Sequence, residues 1–269
     1  MAKNKLRLFW KIGLTFIVSL CFYFPIDVLG LSVGVTPTHL EVSGAPGDVI
    51  TEYFDVIGEE KANSRILSYV GDWDLDAEGH VRFINKGGNP RSASDWVKIS
   101  PTDFPIPAGN KRRVQVTVTI PKDAEGEYWT MAFFESRSNT VLNKTGVNMA
   151  GRIANAIYVL VNRNLVRKAT ITGMSCFWSP AKGFQGRVRV ENRGNVRVFP
   201  RGRLEIRNAA GKTVQTVPVE PQQVLPGLAR IFTVKKDITL KKGNYVVLAI
   251  FDYDGEKLVA AQCGMKVVE

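Results

Sequence analysis

The run spanning residues 151–163, Gly-Arg-Ile-Ala-Asn-Ala-Ile-Tyr-Val-Leu-Val-Asn-Arg, limits more than any other stretch what this chain can become. Side chains alternate between opposite faces along a strand. One set here is Ile153, Ile157, Val159 and Val161, and the other is Ala154, Ala156, Tyr158 and Leu160. Neither set suits water. The β-branched and aromatic residues favour an extended chain over the competing helix. A strand that is apolar on both faces must be covered on both, which calls for stacked layers. The run lies near the middle of the chain beyond its N-terminal leader, so it reads as the last strand of one domain and the lead into the next.

That leader carries Lys3, Lys5, Arg7 and Lys11, then an apolar stretch over residues 12–25, with small residues at Gly30 and Ser32 to admit cleavage. Residues 1–30 read as a secretory signal peptide. About 14 apolar residues fall short of the roughly 20 that cross a bilayer, so membrane contact is expected only through an uncleaved leader. Leu20 precedes Cys21 where lipidation would want a small residue. The mature protein is expected outside the cytoplasm, where nucleic acid is not an expected partner.

The remaining length suits two domains, residues 31–163 and 164–269. Their charges differ. Residues 31–162 hold 13 Lys/Arg against 16 Asp/Glu, net −3, whereas residues 163–269 hold 19 against 8, net +11. A basic second half is either a contact for something acidic, such as a cell-wall polymer, or a solvated surface. Two cysteines remain after processing, Cys176 and Cys263. An even pair in an exported chain favours a disulfide, which would close a loop of about 86 residues and stabilise by roughly 4 to 5 kcal/mol in the chain-entropy model. Two reduced, buried thiols are the alternative.

Short apolar runs separated by turn chemistry fill the rest. In the first half, strands are expected over residues 33–42 with a bend at Pro37, then 49–56, 65–75, 81–84, 96–101, 114–120 and 128–135, closed by the opening run. Turns fall at Ala45-Pro-Gly47 and Asp76-Ala-Glu-Gly79, with a Pro/Gly corner over residues 104–109. The second half repeats the grammar over residues 170–177, 186–191, 196–199, 203–207, 214–217, 229–234, 245–251 and 258–267. No convincing amphipathic helix interrupts either half, so the fold class is all-β, two tandem immunoglobulin-like sandwiches. An internal repeat supports this. Pro107-Ala-Gly109, an alternating valine strand and Gly126-Glu-Tyr128 match Pro226-Gly227, Phe232-Thr-Val234 and Gly243-Asn-Tyr245. Tyr128 and Tyr245 are thereby placed for the corner hydrogen bond of such sandwiches.

Catalysis has little to work with, because His39 and His80 stand apart and neither is near a Ser or Cys in a nucleophile-elbow context. The acidic alternation Asp72, Asp74, Asp76, Glu78 has Ala77 and Phe83 where a calcium loop needs Gly and Glu. It reads as the solvated face of a strand, and no metal or cofactor is expected. Arg187 and Arg189 share one strand face, and Arg193, Arg197, Arg201, Arg203 and Arg207 continue along the next segment; together they form a candidate binding stripe, or again a solvated one.

The motifs Gly34-Val-Thr-Pro-Thr-His-Leu40, Ser94-Asp-Trp-Val-Lys-Ile-Ser-Pro-Thr102, Pro107-Ala-Gly109, Val118-Thr-Ile-Pro121 and Gly126-Glu-Tyr128 resemble the first domain of PapD-like proteins, in particular WxL-interacting proteins. Asn192-Arg-Gly-Asn195, Val224-Leu-Pro-Gly227 and Gly243-Asn-Tyr245 are similar to their second domain. The resemblance implies a non-enzymatic binder of exported protein subunits, pilin-like or surface proteins, working by strand addition. Pilus chaperones of this superfamily hold a subunit's terminal carboxylate with an Arg on the first strand and a Lys on the last strand of domain one. The matching places here carry His39 and Tyr158. On this reading the partner-binding residues are Ile153, Ile157, Tyr158, Val159 and Val161 with His39, and Arg187 and Arg189 serve the basic domain.

Overall fold

The computed structural model describes residues 33–60, 62–137 and 151–268, and the expected signal peptide lies outside them. Every regular element among these is a β-strand. The first sandwich stacks two sheets. One has the order β1-β3-β8-β6: β1 (Gly34–Thr36), β3 (Val49–Ile57), β8 (Lys111–Thr119) and β6 (Val97–Ser100). The other has the order β2-β10-β9-β4-β5: β2 (His39–Gly44), β10 (Gly151–Val161), β9 (Gly126–Arg137), β4 (Ser64–Leu75) and β5 (Val81–Ile84), with β7 (Asp103–Ile106) also paired to β4. Alternation does what period two predicts. Val114, Val116 and Val118 of β8 are fully buried against Phe54, Phe134, Ile157 and Val159.

The second sandwich stacks β11-β12-β15 on β14-β13-β16-β17, comprising β11 (Ala169–Ser179), β12 (Gly183–Asn192), β15 (Ala229–Lys236), β14 (Thr213–Val219), β13 (Arg201–Asn208), β16 (Gly243–Asp252) and β17 (Val259–Val267). Its core is built on Phe184, Leu204, Ile206, Phe232, Val247 and Phe251. Cys176 on β11 and Cys263 on β17 form a disulfide, with Cα atoms 6.3 Å apart. Those strands border different sheets, so the bond staples the two layers along one side.

The internal repeat corresponds to the same structural step in both halves. β8 and β15 each lie in one sheet and hand the chain through a glycine turn to β9 and β16 in the other. Tyr245 closes its corner by donating from its hydroxyl to the Lys241 carbonyl at 2.8 Å. Tyr128 has a different neighbourhood, its ring 4.2 Å from Trp96 and beneath the Arg91 guanidinium.

Three strand expectations differ from the structure. Residues 33–42 form two strands in different sheets, because the chain bends at Pro37 and leaves β1 to pair with β3 and β2 with β10. The corner over residues 104–109 begins as β7, since Phe104 and Ile106 bury alternately. Residues 196–199 are not a strand but a single bridge, Val198 to Val224. Arg197 within it has left the ladder for the other sandwich.

A third apolar cluster joins the two sandwiches into one compact unit. Trp73, Leu75, Trp129, Met131, Phe133 and Tyr158 of the first sandwich gather with Leu225, and Leu228 packs against them. The outer face of β10 is therefore apolar because the second sandwich covers part of it. Trp73 and Trp129 satisfy their indole N–H groups crosswise, donating to the carbonyls of Thr130 at 3.0 Å and Trp73 at 2.9 Å.

Candidate binding site at the open edge and the cleft

β10 is bonded along its whole length to β9, antiparallel, from Gly151 opposite Ser136 to Val161 opposite Gly126. Its other side is half covered among the described residues. β2 pairs with it in parallel from Ala156 opposite His39 to Val161 opposite Gly44. Residues 151–155 lie beyond the end of β2, and Asn155 marks the boundary by donating Nδ2 to the carbonyls of Pro37 and Thr38 at 3.1 and 3.0 Å.

This changes the role of the expected binding residues. Ile157, Val159 and Val161 are fully buried in the core of the first sandwich. They hold the fold together, because β2 occupies the edge where a partner strand would need to lie. Ile153 alone of that set is half-buried and stands on the open part. Tyr158 faces the cleft between the sandwiches, where its hydroxyl donates to Gln223 Oε1 at 3.2 Å. His39 is exposed, 6.3 Å from the Tyr158 ring and 3.7 Å from Glu41. The two residues matched to the carboxylate anchor are thus brought together.

The cation in this cleft comes from the second sandwich. Arg197 stacks its guanidinium 3.9 Å from the centroid of Tyr158. Its Nε lies 2.8 Å from Glu127 Oε1 and its Nη2 2.7 Å from Glu41 Oε1. Its backbone N–H donates to Glu127 Oε2 at 2.6 Å. Burial pushes the Glu127 carboxyl above the usual carboxylate range and Arg197 pulls it back. Burial also raises the Tyr158 phenol, against the hydrogen bond to Gln223 and the charge of Arg197. Beside these groups lies a cleft of about 360 Å³, bordered by Leu160, Arg167, Phe199 and Tyr253.

Asn192 and Asn195 explain the motif that contains them. Asn192 is buried and donates Nδ2 to the carbonyls of Val196 and Val224, both at 2.8 Å. Asn195 ties the connection between the sandwiches: its Oδ1 accepts from Val166 N and its Nδ2 donates to the Asn164 carbonyl, each at 2.7 Å. Its own carbonyl accepts from Glu127 N at 2.7 Å. Gly126 permits this approach, with φ at 76° and a backbone so close that an added Cβ would stand 2.6 Å from the Asn195 carbonyl oxygen.

The basic stripe is exposed, but much of its charge is paired. Arg187 reaches Glu78 of the first sandwich at 3.5 Å, beside the backbone bond from Ile231 N to the Ala77 carbonyl. Arg201 pairs with Asp252 and Asp254, and Arg203 and Arg207 both bind Glu205. Arg189 is exposed on the same strand and borders a groove with Leu75 and Asp76.

The acidic alternation is less solvated than expected. Asp72 is buried and accepts from Ser92 Oγ at 2.7 Å and Gly87 N at 2.6 Å, with the hydroxyls of Ser94 and Thr130 at 3.5 and 3.4 Å. It pins the loop between β5 and β6. Asp74 binds Arg82, and Asp76 binds His80. No group of three metal-ligating side chains occurs among the described residues. Sequence reasoning gave Glu127 no role of its own and Arg197 only a place in the basic run; a carboxylate inside the Gly126-Glu-Tyr128 motif was the available signal.

Fold and edge together define a two-sandwich, all-β protein in which, among the described residues, half of one strand edge is open beside a charged cleft. No family model and no curated protein matches the sequence. Among solved structures, the chain is similar to the class 5 fimbriae chaperone CfaA, at 14% identity and a TM-score of 0.49 over 88% of this chain and 100% of that one. It is also similar to the E. coli chaperone DraB, at 14% identity and 0.42 over 86% and 96% of the two chains. A third is the chaperone–tip subunit complex CsuC–CsuE of Acinetobacter baumannii, at 12% identity and 0.44 over 88% and 100%.

Proposed function

We propose that the protein is an exported, non-enzymatic binder of other exported proteins, a chaperone or adaptor that accepts an extended segment of its partner as an added strand along residues 151–155. The observation that carries this reading is the half-covered edge of β10: β9 is bonded to all eleven of its residues and β2 only to the last six. Open edges offer main-chain donors and acceptors in register, and alternate side chains then supply specificity. The parallel partner β2 begins at the point where an added strand would meet it. Ile153, half-buried on the core side, stands where the partner's inward residues would pack.

The test is photo-crosslinking in cells. A photoreactive side chain at Ala154, on the open part of β10, should capture a small set of exported proteins that one at Val246, exposed on the second sandwich, does not. Ile153→Asp should abolish the capture while the circular dichroism of the protein is unchanged. Equal capture at both positions, or capture indifferent to Ile153→Asp, refutes the reading. Ile157 is unsuitable for this purpose, since a charge at a fully buried position would unfold the sandwich.

A further inference from the structure

The second sandwich covers only part of the outer face of the larger first sheet. Beyond Leu225 and Leu228 the face continues as Tyr69 on β4, Phe133 on β9 and Phe83 on β5, the last of these exposed. Tyr69 and Phe133 stack at 5.1 Å with 18° between their planes, and Phe83 meets Phe133 edge-on at 5.4 Å. Gly71 makes room for this, because a Cβ there would stand 2.9 Å from the Phe133 ring.

Arg152, the second residue of the open half-edge, lies on this platform. Its guanidinium is 4.9 Å from the Phe133 centroid and 5.1 Å from that of Phe83, and Nη1 donates to the Tyr69 hydroxyl at 3.4 Å. Glu135, opposite Arg152 in register, is approached by the same hydroxyl at 3.5 Å. Aromatic stacking holds a guanidinium by its face and leaves the N–H donors along its rim available to an acceptor. The side chain is exposed on the part of β10 that has no second neighbour among the described residues.

We propose that Arg152 selects the incoming strand, and that the partner segment carries an Asp or Glu at the outer-face position beside it. This rests on the strand-addition reading above. An added strand repeats the alternation of β10, so every second residue of the partner stands on the outer face next to Arg152 and Ala154. Directly opposed side chains lie about 5 Å apart at Cβ, within reach of a guanidinium. A carboxylate there completes charge-assisted hydrogen bonds along the free rim, whereas a Lys or Arg meets a cation held in place by two rings and the Tyr69 hydroxyl. Phe83 acts as a positioning residue for that cation.

The probes are decapeptides of alternating Val and Thr with Glu, Gln or Lys at each outer-face position in turn, titrated into the whole protein with amide resonances observed by NMR. The Glu peptide should shift the amides of residues 151–155 and bind about fivefold tighter than the Lys peptide. Arg152→Glu should reverse that order. Phe83→Ala, a substitution at an exposed position, should reduce the ratio to about twofold. If all three peptides bind equally while those amides still shift, the selection by Arg152 is overturned and strand addition stands. If no peptide shifts them, both are overturned.

Discussion

Removing both halves of the Glu127–Arg197 pair should cost well under the sum of removing each alone. The Glu127 side chain is 2% exposed and that of Arg197 12%. In Arg197→Leu the carboxylate keeps its backbone donor at position 197 and loses its cation. Breaking a buried pair in this way costs about 3–5 kcal/mol, and the surviving backbone bond places this case near the lower bound, about 3 kcal/mol. In Glu127→Leu the guanidinium retains exposed Glu41 at 2.7 Å, so a loss of about 2 kcal/mol is expected. The double variant removes both charges but leaves the position-197 amide without its acceptor, so a loss of about 2 kcal/mol, well under the sum of the two single losses, is expected. For a chain of this size about 3 kcal/mol corresponds to a fall in Tm of roughly 6–12 °C.

Urea titrations followed by tryptophan fluorescence measure all three variants, with Trp73 and Trp129 buried at the same interface as reporters. A pH series adds an independent check. Glu127 is a carboxyl whose folded pKa is raised by burial. Between the unfolded and the folded value the native state holds a proton that the unfolded chain has released, and this linkage favours folding as the pH falls. The contribution is fully present below the unfolded value and is lost as the pH rises through the folded one. Without Arg197 the carboxyl is pushed further up. The deficit of Arg197→Leu should accordingly narrow as the pH is lowered from 7 towards about 4.3, the ordinary Glu value. A double variant that loses the sum of the two single losses, or a deficit that widens in acid, refutes this account of the pair.

Two other parts of the fold give further expected outcomes. Cys176→Ser with Cys263→Ser removes a link across a sequence separation of 87 and should cost about 4 kcal/mol in urea titrations of the non-reduced protein against the variant; a loss under about 1 kcal/mol would show that the layers are held without it. Asp72→Ala strands the donors of Ser92 and Gly87 inside the protein, so a cost of about 2–4 kcal/mol and faster hydrogen exchange over residues 85–95 are expected; unchanged exchange there would mean that the loop does not depend on the buried carboxylate.

Much of the architecture was legible because its causes are local. Alternating valines in β8, turn glycines such as Gly47 and Gly79 with φ of 94° and 93°, and the corner at Tyr245 depend on neighbours within a few residues. The apolar character of residues 151–161 on both faces also pointed correctly to a strand covered twice. Yet period-two alternation describes faces and says nothing of edges. Whether β10 is open or paired depends on where β2 begins, and that is set by the bend at Pro37 in a distant part of the chain. The same holds for charge. Arg187 and Arg197 look like members of one basic surface in sequence, but each finds a carboxylate on the other sandwich. Composition and alternation by themselves determined that this chain must stack sheets in two repeating halves. Only the tertiary structure decided which half of the central strand stays open and which charges are neutralised across the cleft, because both are set by the pairing of segments far apart in sequence.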